Sequence, residues 1–496
     1  MATEREIELE AECAQLRVLL DAQSELIATL ESKVADLTAR LSQDSSTSST
    51  PPSRDGADRR TRRAAERASA KAKRQAAGGE ARKQGKQTGA PGSTLCRRVP
   101  DTTVTHAPST CGGCGAGLGD APVVGSATRQ VLEVPEPRLM VTDHVAQRRR
   151  CGCGHDTVAT FPPEATGPVC WGPRAKANAA YLMARQHLPL ERCAEAMAVL
   201  FGAPIGEGTL AGVLPDAEER LKAFLDRLVA LLRCCPVVHA DETSVRLGAG
   251  LVWVHTASTP GLTLLSYHPR RGIDAMIDIG VLAGYAGTIV HDGLASYDRP
   301  ELAGATHAQC GAHLLRHLDK AAQCWSQRGW ATAMRAVLLD AKAASEVAAA
   351  AGLPTVPDAI AAPIVGRYNA VLDQAFAGLP AGPPPRRKHT GGWLTVQREA
   401  WNLATRMQDA SDQVLRMLAD TRVPFDNNEA ERSLRMAKLH DKISGCFRNK
   451  TNVEAFLAVR SYLQTGRKHG RDPLELLTRL WTGTAWLPTV AVPATS

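Results

Sequence analysis

The amino-acid sequence predicts a multidomain α+β protein. Three observations lead to this prediction: apolar heptads at the N-terminus, helical periodicity over most of the chain, and a group of short runs rich in β-branched residues between positions 237 and 309. At 496 residues the chain is long for one domain, so several are expected. Strands and helices that occupy separate stretches are typical of the α+β class.

Residues 1–42 are predicted to form a coiled-coil dimerisation helix. Apolar residues alternate at spacings of four and three, which places at the a positions Cys13, Leu20, Ile27, Val34 and Leu41. β-branched residues at a and leucine at d favour a parallel two-stranded coil. One amphipathic helix packed on its own protein is the alternative, but the unbroken heptads favour a homodimer or higher oligomer.

Residues 43–94 contain a strongly basic stretch. Between Pro51 and Ala90, twelve Lys or Arg stand against four Asp or Glu, a surplus equal to the formal net charge of +8. The segment has almost no large apolar residues and is predicted to be disordered. It is interpreted as a DNA-binding arm or, alternatively, as a solvated linker. Its candidate DNA contacts are Arg59, Arg60, Arg62, Arg63, Lys73 and Arg74.

Residues 95–165 contain two close cysteine pairs, Cys111 with Cys114 and Cys151 with Cys153. Glycines beside them allow the tight turns that aim several sulfur atoms at one ion. The pairs predict a zinc-ribbon-like module with one structural Zn²⁺ held by four cysteines. His106 and His155 are alternatives for one ligand.

The same module is predicted to bind DNA. The runs 129–134 and 139–146 are predicted to form two strands joined at a Pro-Glu-Pro turn. Three arginines beside the second cysteine pair are candidate phosphate contacts: Arg148, Arg149 and Arg150.

Residues 166–234 are predicted to form a helical domain. Helices are expected over 173–186, 190–201 and 207–232. The break at 202–206 resembles a helix-turn-helix connection. Any pair of antiparallel helices gives the same pattern, so both interpretations stay open.

Residues 235–320 and 421–450 are predicted to form an α/β core, interrupted by a helical insertion over 321–420 and followed by a helical segment over 451–496. Three strands, a helix, a strand, a helical link and a strand follow the order of a ribonuclease-H-like fold. Its first and fourth strands are neighbours, so Asp241 and Asp292, which follow buried-looking runs, are expected to lie together. Carboxylates at that position suit a divalent-metal site for phosphoryl transfer.

A third acid is expected on the helix that opens near Asp426. Glu429 and Glu431 are two residues apart, so they point in nearly opposite directions on a helix and only one of them can face the metals. Arg432 and Arg435 follow and are placed to contact DNA phosphates.

With these residues in view, the chain resembles the DDE transposases of the insertion sequence sixty-six family. The likeness runs nearly end to end. Its phrases include Gly85-Lys-Gln-Thr-Gly-Ala-Pro-Gly92, His239-Ala-Asp-Glu-Thr243, His291-Asp-Gly293, Cys310-Gly-Ala-His313-Leu-Leu-Arg316, Pro424-Phe-Asp-Asn-Asn428 and Ala430-Glu-Arg432. Any one phrase is modest evidence, whereas the ordered set is highly specific.

The resemblance implies a catalytic triad of Asp241, Asp292 and Glu431, which decides against Glu429. It implies two Mg²⁺ ions, for which Mn²⁺ can substitute, and in-line phosphoryl transfer that cuts transposon ends and joins them to target DNA. Leu294 departs from the family pattern, where an aromatic residue is expected. The need for accessory proteins encoded beside the gene stays open.

Other side chains near the acids are interpreted as supporting groups. Glu242 and Thr243 are expected to form local hydrogen bonds, and His239 and His291 to pack behind the acids. Cys310 and His313 are expected to have a structural role, with a second metal site as the alternative.

Several classes of protein are disfavoured. No run of about 18 apolar residues exists and no signal peptide is recognised, so a cytoplasmic, nucleoid-associated protein without membrane contact is expected. A catalytically silent, zinc-dependent DNA-binding regulator is the main alternative, but it would not need the three acids. A structure-selective nuclease would not need the zinc module and coil.

Overall fold

The computed structural model describes Gln23, residues 95–162, 164–322, 324–379, Gly382 and residues 395–489. The chain divides into two compact units, one of residues 39–137 and one of residues 138–496 with residues 1–38. Apart from Gln23, the residues predicted to form the coiled coil and the basic arm lie outside the described residues, and so do Arg59, Arg60, Arg62, Arg63, Lys73 and Arg74. None of the described helices is long and apolar enough to span a membrane.

The two strands expected over 129–134 and 139–146 do not form. Their apolar side chains are exposed, Val131 to 85% and Val141 to 87%, because no apolar surface covers these runs and alternation alone does not hold a ribbon together. A shorter antiparallel pair forms instead. It joins β1 (Arg148–Arg150) to β2 (Asp156–Val158) around the second cysteine pair.

The predicted helical domain consists of four helices and one π-helical turn. They are α1 (Pro173–Ala180), the π turn Tyr181–Arg185, α2 (Leu190–Phe201), α3 (Glu207–Arg220) and α4 (Lys222–Arg233). Gly202 ends α2 in the left-handed conformation at φ 61°, which glycine adopts without strain. The single helix expected over 207–232 is divided at Leu221.

A mixed five-stranded sheet forms the centre of the larger unit. Its strands are β3 (Val237–Leu247), β4 (Gly250–Ser258), β5 (Thr263–His268), β6 (Thr288–His291) and β7 (Thr306–Gln309). The spatial order is β5-β4-β3-β6-β7. The β3–β4 and β4–β5 pairs are antiparallel, whereas β6 is parallel to both β3 and β7. The predicted neighbourhood of the first and fourth strands is confirmed.

Helices account for the remaining described elements. They are α5 (Ile273–Asp278), the 3₁₀ turn Pro300–Leu302, α6 (Gly311–Ala321), α7 (Trp325–Ala350), α8 (Asp358–Ala377), α9 (Thr395–Asp409), α10 (Ser411–Val414), α11 (Arg416–Ala419), α12 (Asn428–Ile443), α13 (Lys450–Lys468) and α14 (Pro473–Trp481). The sheet packs against α12 and α13. Hydroxyl groups of α13 accept from edge strand β5: Ser461 from the Leu265 amide at 2.9 Å and Thr465 from the Thr263 amide at 3.1 Å.

The helical insertion begins and ends at one place. Its helices share an apolar cluster that includes Met334, Leu338 and Tyr368. At its base, the Gly311 amide donates to the Phe425 carbonyl at 2.8 Å. A Cβ at position 311 would overlap the Phe425 ring, so glycine permits this close approach. The chain therefore leaves the sheet through α6 and returns to α12 from a neighbouring point.

Candidate active site

The two aspartates lie at equivalent heights on neighbouring parallel strands. The β3–β6 register pairs His239 with Val290, and Asp241 and Asp292 each follow two residues later. Strand β3 continues beyond Asp241. This acid therefore lies within a strand, whereas the sequence predicted it at the end of one. Asp241 accepts from the Glu242 amide at 2.8 Å, and Asp292 from the Leu294 amide at 2.9 Å.

Asn427 fixes the start of α12 against β3. It is completely buried; its side-chain oxygen lies 2.9 Å from His239 Nδ1, and its side-chain nitrogen donates to the Ala240 carbonyl at 2.8 Å. Its side chain therefore does not cap the helix, and Asp426 accepts instead from the Asn428 amide at 3.0 Å. Both Asn427 contacts are made beside Asp241, so they set where the first turn of α12 stands relative to the aspartates.

The two glutamates of α12 have different surroundings. Glu429 forms an ion pair with Lys468 of α13 at 2.9 Å. Glu431 lies 3.6 Å from His313 Nδ1 and 3.4 Å from Arg316. The Glu431 carboxylate also raises the pKa of Asp241. Asp241 therefore senses the charges of Asp292 and Glu431, whereas Glu429 is paired with a lysine.

Negative charge accumulates at this site. Burial is the largest cause that raises the pKa of Asp241 to about 7. Repulsion from Glu242, Asp292 and Glu431 acts in the same direction. Burial and then Asp292 also raise the pKa of Glu242, although Arg271 opposes this. Carboxylates that resist ionisation together are typical of a site whose charge is balanced by a bound cation.

Glu242 is engaged beneath the site rather than exposed to it. Its side chain is inaccessible to solvent, lies 2.9 Å from Arg271 and accepts from the Tyr297 hydroxyl at 3.2 Å. Tyr297 stacks on His291 with ring centroids 4.2 Å apart, and His291 Nε2 lies 3.2 Å from His307 Nδ1. The expectation that Glu242 and His291 act as supporting groups agrees with these contacts.

Cys310 and His313 lie beside Glu431. The three residues offer ligand atoms within 4.8 Å of one another. Cys310 is 1% exposed and its sulfur accepts from the Asn427 amide at 3.2 Å. This contact couples the start of α6 to the start of α12 and fits the structural role, while the grouped ligand atoms fit the alternative of a second metal site.

The sequence assigned no role at the site to Arg271, Tyr297 or Arg406, and it offered Asn427 only as a helix cap. Arg271 reaches Asp292 at 3.9 Å, and Arg406 from the helical insertion acts electrostatically on Asp292. Each contact joins distant parts of the chain. The phrase Pro424-Phe-Asp-Asn-Asn428 and the pair Arg271-Gly272, which is also part of the family resemblance, were the one signal available for Asn427 and Arg271.

Each cysteine pair lies in a tight turn closed by a backbone hydrogen bond, and the turn at Cys111 is one residue longer than that at Cys151. The Gly115 amide donates to the Cys111 carbonyl at 2.9 Å, and the Gly154 amide donates to the Cys151 carbonyl at 2.9 Å. Both glycines have positive φ. The Cys114 backbone lowers the pKa of Cys111, and the Cys153 backbone lowers that of Cys151. Turns that stabilise thiolates in this way are suited to a metal.

The other predicted DNA contacts are accessible to solvent. Arg148, Arg149 and Arg150 make up β1 and are all exposed. Arg150 pairs with Asp156 at 2.8 Å. Arg432 and Arg435 are exposed on α12.

Three family models match the chain. The model described as "Transposase IS66 family" matches residues 168–455, more than half of the chain. A second, described as the zinc-finger binding domain of transposase IS66, matches residues 108–154. A family of unknown function, DUF6444, matches residues 2–94. No curated protein sequence matches the chain. These matches show that the chain belongs to the IS66 transposase family and carries its zinc-finger domain.

Proposed function

We propose that this protein is a DDE transposase that cuts DNA at the inverted repeats of its own element and joins the freed ends to target DNA. The observation that carries the proposal is the half-buried Asp241 of β3, which is level with Asp292 just after β6 and whose pKa is raised to about 7 by burial and by the charges of Glu242, Asp292 and Glu431. The strand order β5-β4-β3-β6-β7, with its parallel and antiparallel pairs, supports a ribonuclease-H-like core.

The acidic group suits two divalent cations. Carboxylate oxygens are the ligands that Mg²⁺ prefers, and the local excess of negative charge supplies the attraction. When bound, the ions activate the attacking oxygen and stabilise the leaving oxygen. The residues of the chain would hold these ligands in place: Asn427 fixes the helix that carries Glu431, and Arg271 pairs with Glu242.

The chemistry is two successive phosphoryl transfers. In the first, a water oxygen forms a bond to the phosphorus at the transposon end and the bond from phosphorus to the 3′ oxygen breaks. In the second, the resulting 3′ hydroxyl forms a bond to a target phosphorus and displaces a target 3′ oxygen. No covalent protein–DNA intermediate is needed, because the attacking groups belong to water and DNA.

DNA recognition is assigned to the parts outside this centre. The four cysteines Cys111, Cys114, Cys151 and Cys153 are proposed to bind one Zn²⁺, which the two thiolate-stabilising turns support. Exposed Arg148, Arg149 and Arg150, together with the basic arm, are proposed to contact phosphates. The N-terminal heptads are proposed to join two protomers.

A cleavage assay tests the catalytic assignment. Labelled duplexes from both flanks of the gene are incubated with protein and Mg²⁺, and strand cleavage and DNA binding are measured in parallel. Asp241→Asn is expected to abolish cleavage and to leave binding within about threefold, because it changes the metal site alone. Mg²⁺-dependent cutting by this variant at the wild-type rate would overturn the assignment. If the wild-type protein cleaves DNA fully but contains no zinc, only the zinc assignment is refuted.

A further inference from the structure

Arg406 stands out as a cation of the helical insertion that lies beside the acidic group. It belongs to α9, and its pKa is lowered by burial while Asp292 opposes that effect. Its terminal nitrogen Nη1 lies 3.8 Å from the Cβ position that a side chain at Gly293 would occupy. The guanidinium group is therefore next to the aspartate of β6, although the two residues are far apart in sequence.

The position of Arg406 is fixed from α6. Its Nη2 lies 2.9 Å from His317 Nδ1, and burial followed by Arg406 lowers the pKa of His317, which favours a neutral ring that accepts this hydrogen bond. A second contact between the same helices joins Lys320 to Glu399 at 2.9 Å. Two contacts along α6 and α9 leave the guanidinium group little freedom to swing away from the site.

The hydrogen-bonding capacity of Arg406 is largely unused. Its Nε is buried and has no partner, and in the described part of the chain no carboxylate lies within 4.0 Å of it. A guanidinium group offers five donors in a planar fork that matches two oxygens of a phosphate. Removing a cation from water without pairing it costs free energy, which a phosphate delivered to the acids would recover.

Glycine at position 293 leaves room for this group. Gly293 has φ of 84°, and a Cβ there would lie 3.3 Å from Gln309 Oε1. Strain and contact with Gln309 therefore both disfavour a side chain, and with glycine there no side chain at position 293 separates Asp292 from Arg406.

From these contacts we infer that Arg406 is a further catalytic residue: it binds a non-bridging oxygen of the scissile phosphate and stabilises the charge that develops there during transfer. The inference rests on the proposed function and deepens it. It gives the helical insertion a direct part in the chemistry, because the insertion places a positive charge opposite the three acids.

The test measures single-turnover strand cleavage at saturating Mg²⁺ for Arg406→Gln, Arg406→Lys and a control, Arg367→Gln. Arg367 is in the same insertion, but it pairs with Asp340 at 2.8 Å. We expect Arg406→Gln to lower the rate by about 10²–10³-fold, as for loss of one preorganised donor. Arg406→Lys should be intermediate, because it keeps the charge and loses the fork, and the control should cleave at the wild-type rate.

The dependence on Mg²⁺ separates this role from simple neutralisation of Asp292. If Arg406 only neutralised the acids, Arg406→Gln would need less Mg²⁺ and would reach the wild-type rate at saturation, which would overturn the inference. If the Gln variant does not fold, the test rests on Arg406→Lys, whose folding is checked by an unchanged melting temperature. A wild-type cleavage rate for Arg406→Lys would then show that the planar guanidinium group is not needed, which overturns the inference.

One further variant distinguishes the two proposals. If Asp292→Asn is inactive while Arg406→Gln cleaves normally, the inference fails and the proposed function stands. If Asp292→Asn cleaves normally, the proposed function itself fails.

Discussion

Replacing Asp241 with asparagine should change how stability depends on pH, apart from any effect on catalysis. The pKa of Asp241 is about 7 in the folded chain, against an ordinary value of 3.8. Below about pH 4 both the folded and unfolded chains hold this proton, whereas between about pH 4 and 7 only the folded chain does. Stability therefore falls as the pH rises through this window, by about 1.4 kcal/mol per pH unit, and stays lowered above it.

The asparagine side chain cannot ionise, so the variant lacks this loss. Two pH units lie between pH 5 and the folded-state pKa. Over this range ionisation of Asp241 lowers the free energy of unfolding of the wild type by about 3 kcal/mol. In Mg²⁺-free buffer, the free energy of unfolding of the wild type should fall by about 3 kcal/mol more than that of Asp241→Asn between pH 5 and pH 8. The sign follows from burial and from the neighbouring carboxylates, which disfavour the charged form.

Urea unfolding followed by circular dichroism measures this difference for the transition of the sheet-containing unit. Mg²⁺ added at pH 8 should raise the stability of the wild type and have a much smaller effect on the variant, because the ion needs the ionised carboxylate. Parallel pH profiles of the two proteins would refute the reasoning. The assay uses no DNA, so it tests the electrostatics of the site without assuming the reaction.

Three other predictions concern the helix that carries the third acid and the cysteine turns. Glu431→Gln should lower strand cleavage by about 10²-fold or more. Glu429→Gln should leave the cleavage rate unchanged and lower stability by about 1–3 kcal/mol, because buried Lys468 loses its carboxylate partner and keeps only its carbonyl contacts to Thr259 and Leu262. Equal cleavage defects would contradict the assignment. Asn427→Ala should lower the melting temperature and the cleavage rate together, since α12 loses its attachment to β3, and an unchanged rate would show that the attachment is dispensable. Cys111→Ser should lower zinc content measured by atomic emission, and wild-type zinc content would exclude this ligand.

The sheet could be predicted from the sequence because its signals are local. β-branched runs bounded by glycine turns marked β3, β4 and β5, and the order of elements predicted that β3 and β6 are neighbours. The register then placed Asp241 level with Asp292. Local alternation failed over 129–134 and 139–146, where no apolar surface covers the runs.

Contacts between distant segments could not be predicted in the same way. Tyr297 stacks on His291 and reaches Glu242, but nothing near it in sequence marks it as part of the site. The Arg406 side chain lies in an alanine-rich helical stretch that resembles any solvated helix. For Glu431 against Glu429, helix geometry showed only that one of them faces the aspartates, and the family pattern decided which.

The contact between Gly311 and Phe425 has a consequence for how such proteins diversify. Because the entrance and exit of the inserted helices are fastened to each other, additions or losses between them hardly strain the strands beneath. Evolution is therefore free to lengthen, shorten or exchange this lobe while the cutting centre keeps its shape. A chimera that receives the corresponding lobe of a relative, joined at these two positions, should fold as readily as its parent.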